Sequence, residues 1–546
     1  MFESLRIFAA VLPAASLWAA GLGWTNRSIS VQRRNRLVVG SAWVGLAASV
    51  LGLLMAIGAK PLAVGVAGPL SAVLGITVDN VAVVMLTLVS FLAVVVTRYS
   101  VSYLAGHVRQ GQFMTWLART IAAVLTLVIA GNLLLFFLAW MAMSLCLHQL
   151  LIFNANRPGA ILAARKKFIV SRCGDLCLIA ALIVSYCTFG TWQFQTLFAA
   201  ANSSLHAAGG GNWIAWLLVA AACLKSAQFP FHSWLPDTME TPTPVSALMH
   251  AGIINAGGFL LIRFSPLLLN YPTPLMALSI VAIATIITGS LAMMTQTSVK
   301  RQLAYSTVAQ MGFMMLECGL GAFGLALVHL VAHGLYKSHC FLISGSTIKK
   351  APIVPLRKIH RQHHRVAHAA GAIAAIGMLL TATALAVFKL VPINHLPLLL
   401  TVGISWCLLI WRALAGRYSK ASAMRWIAGL ALLAAAYPLL MLISDLIMKT
   451  NQFVAGGFGT RTAPPESWAI SLVICGLLLA MGLFQWQVIS GRRPAYMRAL
   501  YVHAVSGFYI GIAANRLTAW IWSVRESFCK SVPLLVQPQS SHAETI

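Results

Sequence analysis

Acidic side chains are nearly missing from this chain: ten Asp and Glu stand against 38 Lys and Arg. Charge of either sign is scarce, at 9% of residues, where an ordinary soluble domain carries about a quarter. A water-facing surface cannot be built from so few charges, which excludes a soluble globular class. No Gly-rich phosphate loop of the Walker or dinucleotide type is present, which argues against nucleotide-driven work. The ten cysteines are scattered, with no CxxC or Cys/His ligand spacing, so neither a zinc site nor a disulfide frame is indicated. Cys173 and Cys177 lie one helical turn apart and read as small apolar packing.

What is abundant is apolar. Hydrophobic residues make up 60% of the sequence, and the mean hydropathy is +0.85. They fall into about fifteen blocks, each roughly the length a helix needs to cross the ~30 Å of bilayer hydrocarbon. The expected spans are 4–24, 37–58, 80–98, 114–131, 133–153, 168–189, 213–228, 244–264, 275–295, 302–318, 321–347, 366–390, 396–411, 426–447 and 469–489. The fold class expected is an all-α polytopic membrane protein. The first block lacks a small-residue cleavage site and is expected to be retained. Residues 500–525 mix Trp520, Trp522 and Leu517 with Arg516 and Arg525, the pattern of an interfacial helix or of one further span.

The net charge of +28 raises nucleic acid as a partner, and the positions argue against it. The basic residues gather between alternate apolar blocks, as at Arg33–Arg36, Arg165–Lys167, Lys300–Arg301 and Arg492–Arg498, while 190–212 and 266–274 are nearly free of them. That alternation follows the positive-inside rule. It puts the N-terminus outside and the basic loops in the cytoplasm.

Ionisable groups inside a bilayer are costly, and each one is a functional candidate. Lys225 ends an apolar stretch, and Pro230, Pro236, Pro242 and Pro244 forbid a continuous helix after it. An ionisable side chain beside interrupted helix is how membrane proteins build ion sites. A lysine snorkelling from a helix end fits the same spacing. A second cluster, His329, His333 and Lys337, repeats at i, i+4 and i+8 and lines one helix face. Such a row can pass protons, and it can equally be polar glue between helices. His250 adds to the polar set.

These residues sit in long motifs. KSAQFPFHSWLPDTMETPTPVSALMH at 225–250, VKRQLAYSTVAQMGFMMLECG at 299–319, the His329–Lys337 helix and RCGDL at 172–176 resemble, in collinear order, the proton-translocating antiporter-type subunits. That family includes subunit L of NADH-quinone oxidoreductase and the large subunit of multisubunit sodium/proton antiporters. The resemblance implies two inverted five-helix repeats with broken helices. It divides the chain into N-terminal helices 1–113, repeats 114–265 and 266–415, C-terminal helices 416–490 and an amphipathic tail 491–546. It assigns ion translocation to Lys225, His250, His329, His333 and Lys337, and a weaker match adds Lys389. The family's Trp-Glu pair reads Trp140-Met141 here, so the central lysine lacks its usual glutamate, and Asp175 is the expected substitute.

The C-terminal LYVHAVSGFYIGIAANRLTAWIW is similar to the tail of the membrane subunit of two-component inorganic carbon transporters of the DAB type. That resemblance implies an ion-conducting transporter subunit, not itself an enzyme and without a cofactor of its own. Its partner would be a large soluble zinc protein, carbonic-anhydrase-like, on the cytoplasmic face. A proton-pumping subunit of an oxidoreductase or antiporter assembly remains the alternative, and the ion is either proton or sodium.

Overall fold

The computed structural model describes residues 1–22, 29–56, 59–65, 75–154, 156–202, 209–347, a few positions within 397–405, 466–489 and 495–531. It is a helical bundle. Helices α1 (Phe2–Leu22) and α2 (Val31–Ala56) form a hairpin, followed by α3 (Asn80–Tyr103), α4 (Gln110–Ile129), α5 (Leu133–Leu151) and α6 (Pro158–Phe189). Then come α7 (Phe194–Asn202), α8 (Gly210–Lys225), α9 (Thr243–Arg263), α10 (Pro272–Thr295), α11 (Val299–Gly319) and α12 (Phe323–Thr347). Beyond them lie α13 (Glu466–Ile489), α14 (Ala495–Val505) and α15 (Ile510–Ser531).

Among the described residues nine helices are long and apolar enough to cross a membrane, and α8 is apolar but shorter. Helices α11 and α12 have the length but are less apolar. The first opens on the adjacent pair Lys300 and Arg301 and carries Glu317 near its end, and the second bears His329, His333 and Lys337. The expected spans 366–390 and 426–447, and most of 396–411, lie outside the described residues, as does Lys389. Of the expected second repeat, 266–415, only α10–α12 and a few positions within 397–405 are described.

A two-stranded antiparallel ribbon, Leu62–Gly65 against Gly75–Val78, has no counterpart among the expected elements. It packs at the α4–α5 corner, where Gly131 N–H donates to Gly75 O at 2.7 Å. A Cβ at Gly131 would fall 2.8 Å from the Gly75 backbone, so only glycine allows this approach. The ribbon leads into Asp79, whose Oδ1 accepts from Ala82 N–H at 2.7 Å and caps α3. Its other oxygen takes the buried Arg263 guanidinium at the end of α9. One carboxylate thus ties together residues 184 positions apart.

Two expectations need correction. The sixth span begins at Pro158 rather than 168, and Arg165–Lys167 is part of that helix, not a loop. Lys166 and Lys167 are buried. Each is held by a polar partner from elsewhere in the bundle: Asp237 for Lys166, and Ser144 on α5 for Lys167. The tail is two helices, not one, turned at Phe508 and Tyr509, both with positive φ. On α15, Trp522 meets Phe168 of α6 edge-on at 6.3 Å and lies under the Arg165 guanidinium, while Leu517 and Trp520 stay exposed.

Candidate functional site

Helix α8 ends at Lys225 in mid-bundle, and its break starts before the first proline. Ala227 has φ +50°, in the left-handed region, and the chain then runs through short turns to Pro242 and Pro244 at the start of α9. Backbone freed inside a membrane must find partners within the protein. Gln228 N–H donates to Cys223 O at 3.0 Å, and Phe229 N–H to Thr285 Oγ1 of α10 at 2.9 Å. Ser226 Oγ donates to Ile254 O at 2.7 Å, which ties the end of α8 to the middle of α9. Gly257 lets the two helices approach, since a Cβ there would lie 2.3 Å from Ser226 Oγ.

Lys225 is 6% exposed, and among the described residues its ammonium has no hydrogen-bond partner. It rests 4.5 Å from the centre of the Trp140 ring. Trp140 is itself buried in an aromatic cluster with Phe136, which stacks on Phe259 at 6.3 Å. Trp140 Nε1–H donates to Asp175 Oδ1 at 3.1 Å, and Arg172 Nη2 stands 2.7 Å from Asp175 Oδ2. Asp175 therefore does not take the lysine directly. Trp140 stands between them, with the lysine on its face and the carboxylate at its edge. Met141, where the resemblance leads one to expect glutamate, is half-buried and packs against the apolar core.

A second group lies around α9, α11 and α12. His250 sits in a π-helical turn, Met249–Ile253, a distortion that often marks functional positions. Its Nδ1 is 3.0 Å from Thr307 Oγ1 of α11, and its ring stacks on Phe341 of α12 at 4.2 Å. On α12, His329 Nδ1 is 3.0 Å from Glu317 Oε2 and its Nε2 is 3.0 Å from Gln310 Oε1. His333 follows one turn on, with rings 6.1 Å apart and, among the described residues, no partner for either nitrogen. Lys337 is fully buried and donates to Ser306 Oγ at 2.7 Å and Leu303 O at 3.2 Å. His250, His329 and Lys337 all lie within electrostatic reach of His333.

Lys225, Asp175, His250, His329, His333 and Lys337 are thus all placed in two adjoining, largely buried groups. Sequence reasoning missed Trp140 as the lysine's seat, Glu317 and Gln310 as the partners of His329, and Lys167 near Lys225. The Glu317–His329 link joins two helices across a tight turn, and the only sequence signal is a lone acid near the end of α11. Among the described residues no group of three or more His, Cys, Asp or Glu could hold a metal ion.

Residues 130–416 match the family described as NADH:quinone oxidoreductase/Mrp antiporter, transmembrane, and residues 66–114 match the N-terminal family of complex I chain 5. The probable inorganic carbon transporter subunit DabB2 of Halothiobacillus neapolitanus is 38% identical over 82% of this chain and 81% of its own length. The corresponding DabB of Hydrogenovibrio crunogenus is 46% identical over 50% of this chain and 53% of its own. In fold, the chain resembles a subunit in the structure of the Mrp complex from Dietzia sp. DQ12-45-1b. The TM-score is 0.66 at 22% identity, covering 97% of this chain and 60% of that one.

Proposed function

The chain belongs to the NADH:quinone oxidoreductase/Mrp antiporter family of membrane subunits and to its inorganic carbon transporter branch, and we propose on that premise that it conducts protons to drive inorganic carbon uptake. The observation that carries the proposal is Lys225: a buried ammonium at a helix break, seated on an aromatic ring with no carboxylate among the described residues bonded to it. Such a lysine can gain and lose a proton without first breaking a strong ion pair.

Protons reach Lys225 from the His329–His333–Lys337 face by way of His250. Imidazole nitrogens suit this relay because either one can hold the proton. The bond from Ser226 to Ile254 joins the lysine's own chain break to the helix that carries His250, so charging Lys225 shifts both. Loading Lys225 draws the ammonium toward Asp175 across Trp140, and unloading it removes that pull on the break. The nitrogen ligands along this route favour protons over sodium, which prefers oxygen. One charge crossing 100 mV yields about 2.3 kcal/mol, enough to bias a step in a partner.

That partner is a soluble, zinc-containing, carbonic-anhydrase-like subunit on the side of the basic loops. With the N-terminus outside, this side is the cytoplasm of a bacterial inner membrane. Proton flow would pull CO2 hydration toward bicarbonate by removing its proton. The match over four-fifths of both chains supports carbon transport over a role in a respiratory or sodium/proton antiporter assembly.

The test is rescue of a carbonic-anhydrase-deficient cell at ambient CO2. Rescue is expected only when this chain and its partner are expressed together, and it should vanish with an uncoupler. Rescue that survives the uncoupler would refute proton coupling.

A further inference from the structure

The Lys225 site contains a second buried lysine that the translocation scheme does not use. Lys167 on α6 is 3% exposed. Its ammonium donates to both Ser144 O and Ser144 Oγ at 2.9 Å, and Ser144 lies one helical turn beyond Trp140, the seat of Lys225, on α5. Lys225, Arg172 and Asp175 are all within electrostatic reach of it. His148, a turn beyond Ser144, is the titratable group that α5 presents to Lys167. The 226–242 connector brings Asp237 and His232, which engage the neighbouring Lys166 instead, and α15 brings Trp522 against Arg165 and Phe168.

The charge balance here is lopsided. Asp175 is already matched by Arg172, a group that stays charged. Among the described residues, Lys167 and Lys225 are then two lysines without a carboxylate of their own. Two like charges held in a low-dielectric interior are strongly disfavoured when no counter-ion compensates them.

We infer that Lys167 and Lys225 form a two-lysine site that carries one ammonium at a time. This rests on the proton-conducting reading above. A proton lost from one nitrogen is matched by a proton gained at the other, so the step needs no other reactant. Ser144 holds Lys167 in place through acceptors that serve either the ammonium or the neutral amine. Lys167 therefore sets when Lys225 can load, and it serves as the site's alternate proton holder.

The test compares Lys167→Met, Lys167→Arg and Lys225→Ala in sealed vesicles that contain the chain with its partner. The readouts are transport rate against pH, amount of chain in the membrane and thermal unfolding of the complex. Arginine keeps the charge and the bonds to Ser144 but cannot give up its proton. Lys167→Arg is expected to lower the rate by about tenfold or more, with the amount of chain unchanged, and Lys167→Met to alter the pH profile. Full activity in Lys167→Arg with loss in Lys167→Met would reduce Lys167 to a hydrogen-bond donor and overturn the inference. Wild-type rate and pH profile in Lys167→Met would do the same. If Lys167→Met does not accumulate, Ser144→Ala replaces it: a shifted profile is expected, and an unchanged one overturns the inference. Lys225→Ala separates the two claims. Its full activity sinks the underlying reading, whereas its inactivity beside normal Lys167 variants sinks only the two-lysine site.

Discussion

The two buried groups solve the same problem in opposite ways. Around His329 and Lys337 the backbone is continuous helix and the polar side chains are mostly partnered: Glu317 and Gln310 on His329, Ser306 and Leu303 on Lys337. Around Lys225 the helix is broken and acid is scarce, and the ammonium rests on an indole face with no hydrogen bond among the described residues. A partnered group holds its charge state firmly, while a poorly partnered one changes it at low cost. In the proton-conducting function proposed above, the first region is the relay and the second the switch.

After the loss of Lys225 itself, the largest effect should come from removing the switch's seat. Trp140→Leu deletes the cation–π contact, worth about 2 kcal/mol when desolvated, and also the donor to Asp175. Transport measured in vesicles should fall by roughly 30-fold. Trp140→Phe keeps a ring but loses the Nε1–H bond to Asp175, worth about 1 kcal/mol, and should cost about fivefold. Equal losses in the two variants would assign the role to the hydrogen bond rather than to the ring face.

Glu317→Gln tests the relay. It leaves His329 an oxygen partner but removes the charge, a change of about 1 kcal/mol, so the rate should drop severalfold. A loss as large as that of Trp140→Leu would erase the contrast between relay and switch.

The smallest change in rate is expected from Met141→Glu, which would make the Lys225 region resemble the other. A carboxylate near the lysine favours its ammonium form. The alkaline edge of the pH–rate profile should therefore move to higher pH, with a modest change in maximum rate. An unmoved edge would show that position 141 does not face the lysine's environment.

Much of the fold is legible in the lengths of apolar runs, because bilayer thickness sets helix length. The boundaries of α1, α3, α5 and α10 fall within a few residues of the apolar blocks. Lys166 and Lys167 mislead because a basic cluster at the edge of an apolar block looks like a loop. Their burial depends on Asp237 and Ser144, distant in the chain. The prolines announce a break after Lys225 but not its start at Ala227, and nothing local announces the π turn at His250. The seat of Lys225 on Trp140 is illegible for the same reason as the Asp79–Arg263 pair: both join helices whose spacing in sequence carries no signal. Local pattern reports on the helix that bears it, and the site is made between helices.

The most direct test of the central claim measures proton flux with a pH-sensitive dye in sealed vesicles that hold the chain and its partner. The wild type should move protons when a pH gradient or inorganic carbon is supplied, and Lys225→Ala, present in equal amount, should move none. Proton flux at the wild-type rate in Lys225→Ala would contradict the account.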